Sequence, residues 1–451
     1  MFKKIELWIV FLLCIFFIIS TILYGALLRH HYLSGKNFPT LQKIAVFFAE
    51  IPAHIKFMDT TKQLNLDMPP TLKKHTDKPR FKSFINSNRE ALLILPRYNG
   101  NLRRSVVEII NLNTFEVLHS YNHNIILMNN LIDTKKAQYS RVKIDDAPIR
   151  FEYRHPVILD DGSLISHGED APLFKIDFCS KLLWINQEEL FHHSINRDDE
   201  GYIWVGSRIF PNSKHKSYFK NSGFRDDAIA KLNNNGKIIY IKSIPELLFE
   251  NKIFYLSDFF SQNRFLTDPI HLNDIEPVTK DTDFWKKGDL FISIKHKSAI
   301  ILYRPSTNKI IRYIKGPFYQ QHDVDIISDN EISIFNNNYS ILEGFKYSEV
   351  LIYNFKTNKI SKKFNEQLKN NNFETRDTQG LSEILQDGSM LVEEQKHGRL
   401  IFFNNKGEKE WEFVNKDDND NIYFISWSRI IEDKNLIAKI KEKIKSTQCQ
   451  N

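Results

Sequence analysis

Short apolar runs separated by polar turns fill most of the chain and follow a repeated order. Val157 to Ile165 (VILDDGSLI) places an Asp-Gly turn between two apolar runs, and two further runs come after it. Glu383 to Leu391 (EILQDGSML) starts the same order again, also with two later runs. Short runs rich in Val, Ile and aromatic residues, bounded by such turns, predict β-strands. Each unit therefore predicts four consecutive strands.

The same unit recurs along the chain at intervals typical of propeller blades. Units start near residues 91, 157, 195, 275, 324 and 383. A repeat of this length with only strand signals predicts four-stranded blades. Six of them predict an all-β fold, a six-bladed β-propeller over residues 85–431, closed so that no long sheet edge is exposed.

The N-terminal region has a different pattern, a continuous apolar run without a charged residue. Leu7 to Leu28 (LWIVFLLCIFFIISTILYGALL) is long enough to cross the hydrocarbon core of a bilayer as a helix. It is longer than the apolar part of a signal peptide and has no clear cleavage site, so residues 1–30 are predicted to be a cytoplasmic tip and an uncleaved transmembrane signal anchor. Lysines precede the run and Arg29 and Lys36 follow it, so charge barely decides the orientation. The short N-terminal tail favours a body exported to the periplasmic or extracytoplasmic side.

Two further segments flank the predicted propeller. Within residues 31–84, Leu41 to Met58 has helical apolar spacing and predicts a membrane-proximal helix, followed by a linker. Residues 432–451 form a C-terminal tail in which Lys434 to Ser446 is a basic, amphipathic-looking helix. We interpret it as a solvated helix end rather than a partner site.

Charge and cysteine content narrow the function classes. The formal charge of +7 is spread over 451 residues without a basic stripe interleaved with aromatics, which argues against nucleic-acid binding. Outside the apolar run the cysteines are Cys179 and Cys449, and the polar tail around Cys449 disfavours a disulfide between them. Asp417 to Asn421 (DDNDN) is interpreted as an exposed acidic turn rather than a calcium site.

Histidines recur at one position of the repeat. His155, His193, His271 and His322 each stand just before the first strand of a unit. Because the first strand of every blade lines the central channel, these four imidazoles are expected to meet at one mouth of it. Any one of them alone is typical of a loop histidine. A zinc site is the alternative for the set, with Asp274 and Asp323 as nearby carboxylates, but without a cysteine at ligand spacing we expect no metal.

The sequence around these histidines resembles the arylsulfotransferase family. The resemblance runs from about His155 to Phe413. It is carried by the segments FHHSI (191–195), DPIHLND (268–274), GDLFISIKH (288–296) and GPFYQQHD (316–323), with a weaker match at TQGLS (378–382). It implies transfer of a sulfuryl group from a phenolic sulfate ester to an acceptor hydroxyl, without a nucleotide sulfate donor or another cofactor.

The resemblance also implies roles for individual residues. His322 would be the nucleophile and would form a sulfohistidine, and His193 or His271 would supply a proton to the departing phenolate. Asn273 and a cation at Lys295 would hold the sulfuryl oxygens. The family pattern has Arg where this chain has Lys295, which keeps the charge but loses the planar donor geometry. Residues expected to bind substrate are His155, His192, Asp274 and Asp323.

Two other functions are consistent with the same residues. One is a membrane-anchored, non-catalytic propeller that binds a glycan or peptide, and the other is a metal-dependent hydrolase or lyase. The combination of His193, His271, Asn273 and His322 favours the sulfuryl transferase, because a scaffold has no need of that set. Lys295 is the residue that weighs against it.

Overall fold

The computed structural model describes two units of the chain. The described residues are all except 1–5, 33–36, 64–70, 141, 143–146, 211–223, 254–259, 262–263, 266, 341–343, 346, 376–378 and 450–451. Part of the predicted linker, residues 64–70, and Thr378 of the TQGLS segment therefore lie outside the described residues. One unit is Met1–Asp67 with Phe260–Leu266, and the other is Met68–Phe259 with Thr267–Asn451.

The smaller unit is largely helical. In the residues that the structure describes, this unit has the helices α1 Leu7–Tyr32 and α2 Pro39–Gln63, and the larger unit has α3 Ile125–Asn130, α4 Ile244–Glu250, α5 Asn365–Asn370 and α6 Lys434–Ser446. Within the described part of the chain, α1 is the one helix long and apolar enough to cross a membrane, over Leu7–His31. It is compatible with a single-pass anchor or a signal sequence. The Tyr24 hydroxyl donates a hydrogen bond of 3.0 Å to the carbonyl of Ala45 and so joins α1 to α2.

The larger unit is built from antiparallel strands. In chain order the strands among the described residues of both units are β1 Phe81–Ser83, β2 Leu92–Asn99, β3 Arg104–Asn111, β4 Val117–Tyr121, β5 Arg154–Ile158, β6 Leu164–His167, β7 Ala171–Ile176, β8 Leu182–Arg197, β9 Ile203–Arg208, β10 Asp227–Leu232, β11 Ile238–Ser243, β12 Phe260–Ser261, β13 Arg264–Phe265, β14 Leu272–Pro277, β15 Leu290–Ile294, β16 Ala299–Arg304, β17 Lys309–Lys315, β18 Val324–Ile326, β19 Glu331–Asn336, β20 Tyr339–Ser340, β21 Gly344–Phe345, β22 Glu349–Asn354, β23 Lys359–Lys363, β24 Leu381–Ile384, β25 Met390–Glu394, β26 Arg399–Phe403, β27 Lys409–Val414 and β28 Arg429–Ile431.

The strands form a propeller-like set of sheets, but not six separate blades. Four blades are distinct sheets: β28-β2-β3-β4, β14 to β17, β18-β19-β22-β23, and β24 to β27 with β1 added at its outer edge. Strands β5 to β11 form one seven-stranded sheet instead. The cause is β8, which has 16 residues and no turn inside it. Its Phe191 pairs with Ala171 of β7 on one side and with Ser207 of β9 on the other.

Neighbouring sheets bury both faces of their inner strands. In β2, Leu92 and Ile94 pack in one core cluster with Phe174, whereas Leu93 packs in another with Leu400. Successive side chains of a strand point to opposite faces, so β2 contributes to the cores on both of its sides. This explains why apolar runs in the sequence are often continuous rather than alternating.

The prediction that disfavoured a disulfide is wrong. Cys179 and Cys449 are bonded, with an S–S distance of 2.01 Å, across a sequence separation of 270. The preceding helix α6 is not solvated on all sides, because Ile437 and Ile440 are each only 1% exposed and pack against the core. The polar composition of the tail describes only the outer face of α6, while its apolar stripe brings Cys449 to the sheet.

The Asp417–Asn421 run forms a turn, but its first residue is not exposed. Asp417 is 6% exposed. Its carboxylate accepts hydrogen bonds from the backbone of Asn419 and Asn421 and from the Tyr423 hydroxyl. The side chain therefore closes the turn on itself.

Candidate active site

Three of the four predicted histidines lie at irregular points of the backbone. His155, His193 and His271 have φ angles of 36°, 63° and 52°, in the left-handed region that costs non-glycine residues energy. His155 and His193 lie where strand pairing shifts register, in β5 against β6 and in β8 against β9, and His271 comes directly before the shift between Leu272 and Asp274 of β14. Such bulges change the direction of a side chain. His322 has no left-handed angle, but Gln320 just before it does, at 59°.

Ring contacts join three of the four predicted imidazoles directly, and His155 is linked to them through Trp427. The ring centroids of His193 and His271 are 5.1 Å apart, and those of His193 and His322 are 6.5 Å apart. Trp427 joins the cluster at 5.5 Å from His155, 5.9 Å from His193 and 6.5 Å from His322. Sequence reasoning missed Trp427, because the unit that starts near residue 91 was not expected to take a strand, β28, from the end of the chain.

The hydrogen bonds of His322 define which nitrogen carries the proton. Asn337 donates from Nδ2 to the carbonyl of Gln379, at 2.8 Å, so its Oδ1 faces His322 Nδ1, at 2.7 Å. The Gln320 carbonyl lies 3.1 Å from the same Nδ1. Both neighbours of Nδ1 are acceptors, so Nδ1 carries the hydrogen. Nε2 then has the lone pair, and it accepts a hydrogen bond from the Gln379 backbone N–H, at 2.9 Å.

His193 is held by its neighbour in a similar way. His192 is fully buried, with Nε2 3.3 Å from the Ser207 carbonyl and Nδ1 2.7 Å from His193 Nδ1. Since a carbonyl can only accept, His192 donates from Nε2 and accepts at Nδ1 from His193. The lone pair of His193 is therefore on Nε2. His192 was expected to bind substrate, but its contacts are those of a residue that positions His193.

Burial keeps these imidazoles neutral. Loss of water around the ring lowers the pKa of His322 well below its usual value, and the positive charges of Lys295 and His271 lower it further. Burial likewise lowers the pKa of His193, His192 and His155 well below the usual value. A neutral imidazole has a lone pair available for nucleophilic attack or proton abstraction.

Lys295 and Asn273, the two residues expected to hold the sulfuryl oxygens, are both tied to neighbouring backbone. Lys295 is 5% exposed and begins a 3₁₀ turn, Lys295–Lys297, directly after β15; its backbone N–H donates to the His271 carbonyl at 3.1 Å. Asn273 donates from Nδ2 to the Gln321 carbonyl at 2.9 Å. One of the two amide hydrogens of Asn273 is thus already engaged.

The carboxylates expected to bind substrate instead join neighbouring blades. Asp274 of β14 accepts a hydrogen bond of 3.0 Å from the backbone of Val324 in β18. Asp323 accepts one of 3.2 Å from Ser382 in β24. Their hydrogen bonds place the first strands of adjacent sheets side by side around the histidines.

Glu383 makes a third contact of this kind and predicts a pH-dependent stability. It accepts from the Ile430 N–H at 2.7 Å. Burial raises its pKa to about 7, although the Ile430 hydrogen bond and the positive charge of Arg429 act in the opposite direction.

Folding therefore favours the protonated form of Glu383. Its contribution to stability is complete below the unfolded-state pKa, near 4.5, and is lost as the pH rises through about 7. In Glu383→Gln we expect the fall in unfolding free energy between pH 5 and 7.5 to shrink by about 2 kcal/mol. Urea unfolding of both proteins in detergent measures this, and equal pH dependence in the two proteins would contradict the assignment.

The histidines of this site lie within a matched family domain. A sequence model of a family described as Arylsulfotransferase (ASST) matches residues 155–416, more than half of the chain. The chain belongs to the arylsulfotransferase family. The match confirms the resemblance inferred from the sequence around the histidines. Membership of the arylsulfotransferase family supports an arylsulfotransferase-like function and substrates that are small molecules.

Similarities to solved structures are weaker. A protein of unknown function from Bacteroides caccae is 12% identical, with a TM-score of 0.47 over 76% of this chain and 99% of that one. Virginiamycin B lyase from Staphylococcus aureus is 12% identical, with a TM-score of 0.34 over 57% and 69% of the two chains. The WD40 β-propeller domain of Doa1 is 10% identical, with a TM-score of 0.39 over 82% and 98%. No curated protein matches the arylsulfotransferase-family chain.

Proposed function

We propose that this protein is a membrane-anchored, exported enzyme that transfers a sulfuryl group from a phenolic sulfate ester to an acceptor hydroxyl. The observation that carries the proposal is the state of His322. It is a buried, neutral imidazole whose proton is held on Nδ1 by Asn337, which leaves the Nε2 lone pair as the nucleophile. The family match over the same residues supports the reaction class.

The reaction proceeds in two balanced steps. In the first, His322 Nε2 attacks the sulfur atom, an N–S bond forms, and the S–O bond to the aryl group breaks, so that the phenolate leaves with the electron pair. The phenolate takes a proton from His271, which is hydrogen-bonded to Asp268. In the second, the acceptor hydroxyl loses its proton to His193 Nε2 and attacks sulfur, and the N–S bond breaks with its electron pair returning to His322 Nε2. His193 then releases its proton and His271 regains one by exchange with solvent. Splitting one displacement into two lowers each barrier.

One contact must be displaced before attack. The Gln379 N–H occupies the Nε2 lone pair in the structure, so the donor has to displace it. Lys295, whose charge already acts on His322, would then balance the sulfuryl oxygens together with the second amide hydrogen of Asn273. Lysine neutralises the charge without the two-pronged geometry of arginine.

The anchor, the exported location and the blade count belong to the same proposal. The seven-stranded sheet has the strands of two blades joined through β8, which would complete a six-bladed ring. The proposed divisions are an anchor at 1–30, a membrane-proximal segment at 31–84, a propeller at 85–431 and a tail at 432–451. The Cys179–Cys449 disulfide supports an oxidising compartment outside the cytoplasm.

The experiment that tests the function follows the sulfuryl group directly. The full chain in detergent is mixed with a chromogenic phenyl sulfate, and phenol release and intact-protein mass are recorded with and without an acceptor phenol. We expect release of phenol and a mass gain of one sulfuryl group, which the acceptor removes. No adduct and no release with several aryl sulfates would favour the non-catalytic propeller that binds a glycan or peptide.

Asn337 tests the proposed tautomer of His322. In Asn337→Leu, Nδ1 loses its strongest acceptor, so part of the population should carry the proton on Nε2 and be unable to attack. We expect kcat to fall by roughly 10- to 100-fold, with KM changed by no more than about 2-fold. Ring ¹⁵N chemical shifts of His322 report the tautomer. A loss of rate with an unchanged tautomer would show that Asn337 has only a structural role.

A further inference from the structure

We propose that Asp268, His271 and His296 form a binding site for a divalent transition-metal ion beside the histidine cluster. Each residue offers one ligand atom, and the three atoms lie within 4.8 Å of one another. The ring centroids of His271 and His296 are 4.5 Å apart. Asp268 Oδ2 is 2.7 Å from His271 Nδ1.

The backbone already holds this group together. The His296 N–H donates to the Ile270 carbonyl at 3.1 Å, which fastens the turn after β15 to the segment before β14. His296 Nδ1 lies 2.7 Å from the backbone carbonyl of Asp268, so it donates there and has its lone pair on Nε2. A ligand imidazole commonly has its other nitrogen fixed by a carbonyl in this way.

One oxygen of the cluster also lacks a partner. Among the residues that the structure describes, the buried Oδ1 of Asp268 accepts no hydrogen bond. A buried carboxylate oxygen without a donor is costly unless a cation or water meets it. Together with two imidazoles it provides a donor set of two nitrogens and one oxygen.

The donor set selects the kind of metal. Two imidazoles with one carboxylate suit Zn²⁺, Co²⁺, Ni²⁺ or Cu²⁺, whereas Mg²⁺ and Ca²⁺ prefer oxygen ligands. Arg225 Nη1 lies 3.5 Å from Asp268 Oδ2 and opposes a second cation there. Removing its charge should therefore strengthen metal binding.

The consequence for activity rests on the proposed function. His271 is shared between the metal group and the cluster that contains His193, at 5.1 Å. An ion on His271 would prevent it from giving a proton to the leaving phenolate. The site would thus inhibit sulfuryl transfer when occupied, while the binding itself does not depend on that reaction.

The test measures binding first. Full-length protein in detergent is freed of metal by a chelator and titrated with Zn²⁺ by calorimetry, and with Co²⁺ by visible absorption. We expect one ion per chain. His296→Ala should weaken binding by roughly 10-fold or more, His296→Cys should retain it as an alternative ligand, and Arg225→Gln should tighten it. His397→Ala, outside the group, is the matched control.

Each outcome decides the proposal. No binding at millimolar Zn²⁺, or equal affinity in wild type and His296→Ala, would overturn it. Because His296 is exposed, its replacement should leave the fold intact, and circular dichroism checks this. Zn²⁺ should also inhibit phenol release by wild type and not by His296→Ala. If neither protein releases phenol, the proposed sulfuryl transfer is contradicted, and the calorimetric titrations still decide the metal site independently.

Discussion

Replacing His322 with alanine is expected to reduce sulfuryl transfer by roughly 1,000-fold or more and to abolish the mass gain on the protein. The reason is that His322 presents a neutral lone pair on Nε2. Asn337 holds the proton on the other ring nitrogen, and burial keeps the ring neutral. His193 also has its lone pair on Nε2, but in the proposed mechanism it takes the proton of the acceptor hydroxyl and does not attack sulfur. Phenol release from an aryl sulfate and intact mass check both parts of this expectation.

The control has to separate chemistry from packing, because His322 is only 1% exposed. Added imidazole should restore part of the phenol release in His322→Ala, since the small molecule can supply the missing lone pair in the vacated space. Thermal unfolding of the variant shows whether the propeller is intact. If the folded variant still released phenol at the wild-type rate, the nucleophile would have to be a residue other than His322.

Replacing Cys179 with serine is expected to lower the unfolding free energy by roughly 3–5 kcal/mol. The bond to Cys449 spans a sequence separation of 270. A cross-link over so long a segment restricts the unfolded chain strongly, and removing it returns that conformational entropy. The helix α6 should loosen as well, because Cys449 follows it and contacts the same core. Urea unfolding under oxidising conditions measures the difference.

Cys14→Ser provides the matched control, because Cys14 is a free, exposed cysteine in α1. It should leave the unfolding transition of the propeller unchanged. Reducing the wild-type protein should move its transition to that of Cys179→Ser. Identical transitions in oxidised, reduced and variant protein would show that the bond contributes little.

The sequence predicted the histidine cluster because the cluster follows the repeat. Each of His155, His193 and His271 stands at the same point of its unit, so knowing the unit was enough to bring them together. The backbone angles that orient the rings could not be predicted, since the same residues have no glycine or asparagine to signal a left-handed position. The contacts of Asn337 and Gln379 with His322 could not be predicted either, because they join residues that are far apart in the sequence.

The joined seven-stranded sheet and the disulfide are two features that local sequence patterns did not predict. The sequence pattern predicted a boundary between two units before Ile195. The strand β8 continues across that boundary, so the two units share one sheet. The prediction for the tail relied on its polar composition, which reflects its charged surface. The buried side chains of Ile437 and Ile440 instead hold α6 against the core and so place Cys449 there. In both cases a long-range pairing overrides a short-range reading.

The position of β28 sets the order in which the protein becomes complete. This strand, Arg429–Ile431, comes late in the chain yet pairs with β2, so that Leu92 meets Ile431. Until β28 has been synthesised, the edge of β2 that pairs with it stays open. Trp427 lies two residues before β28. Pairing of β28 with β2 therefore also places the Trp427 indole beside the histidines. A chain that ends before β28 would lack both the partner strand of β2 and the indole that lies beside the histidines.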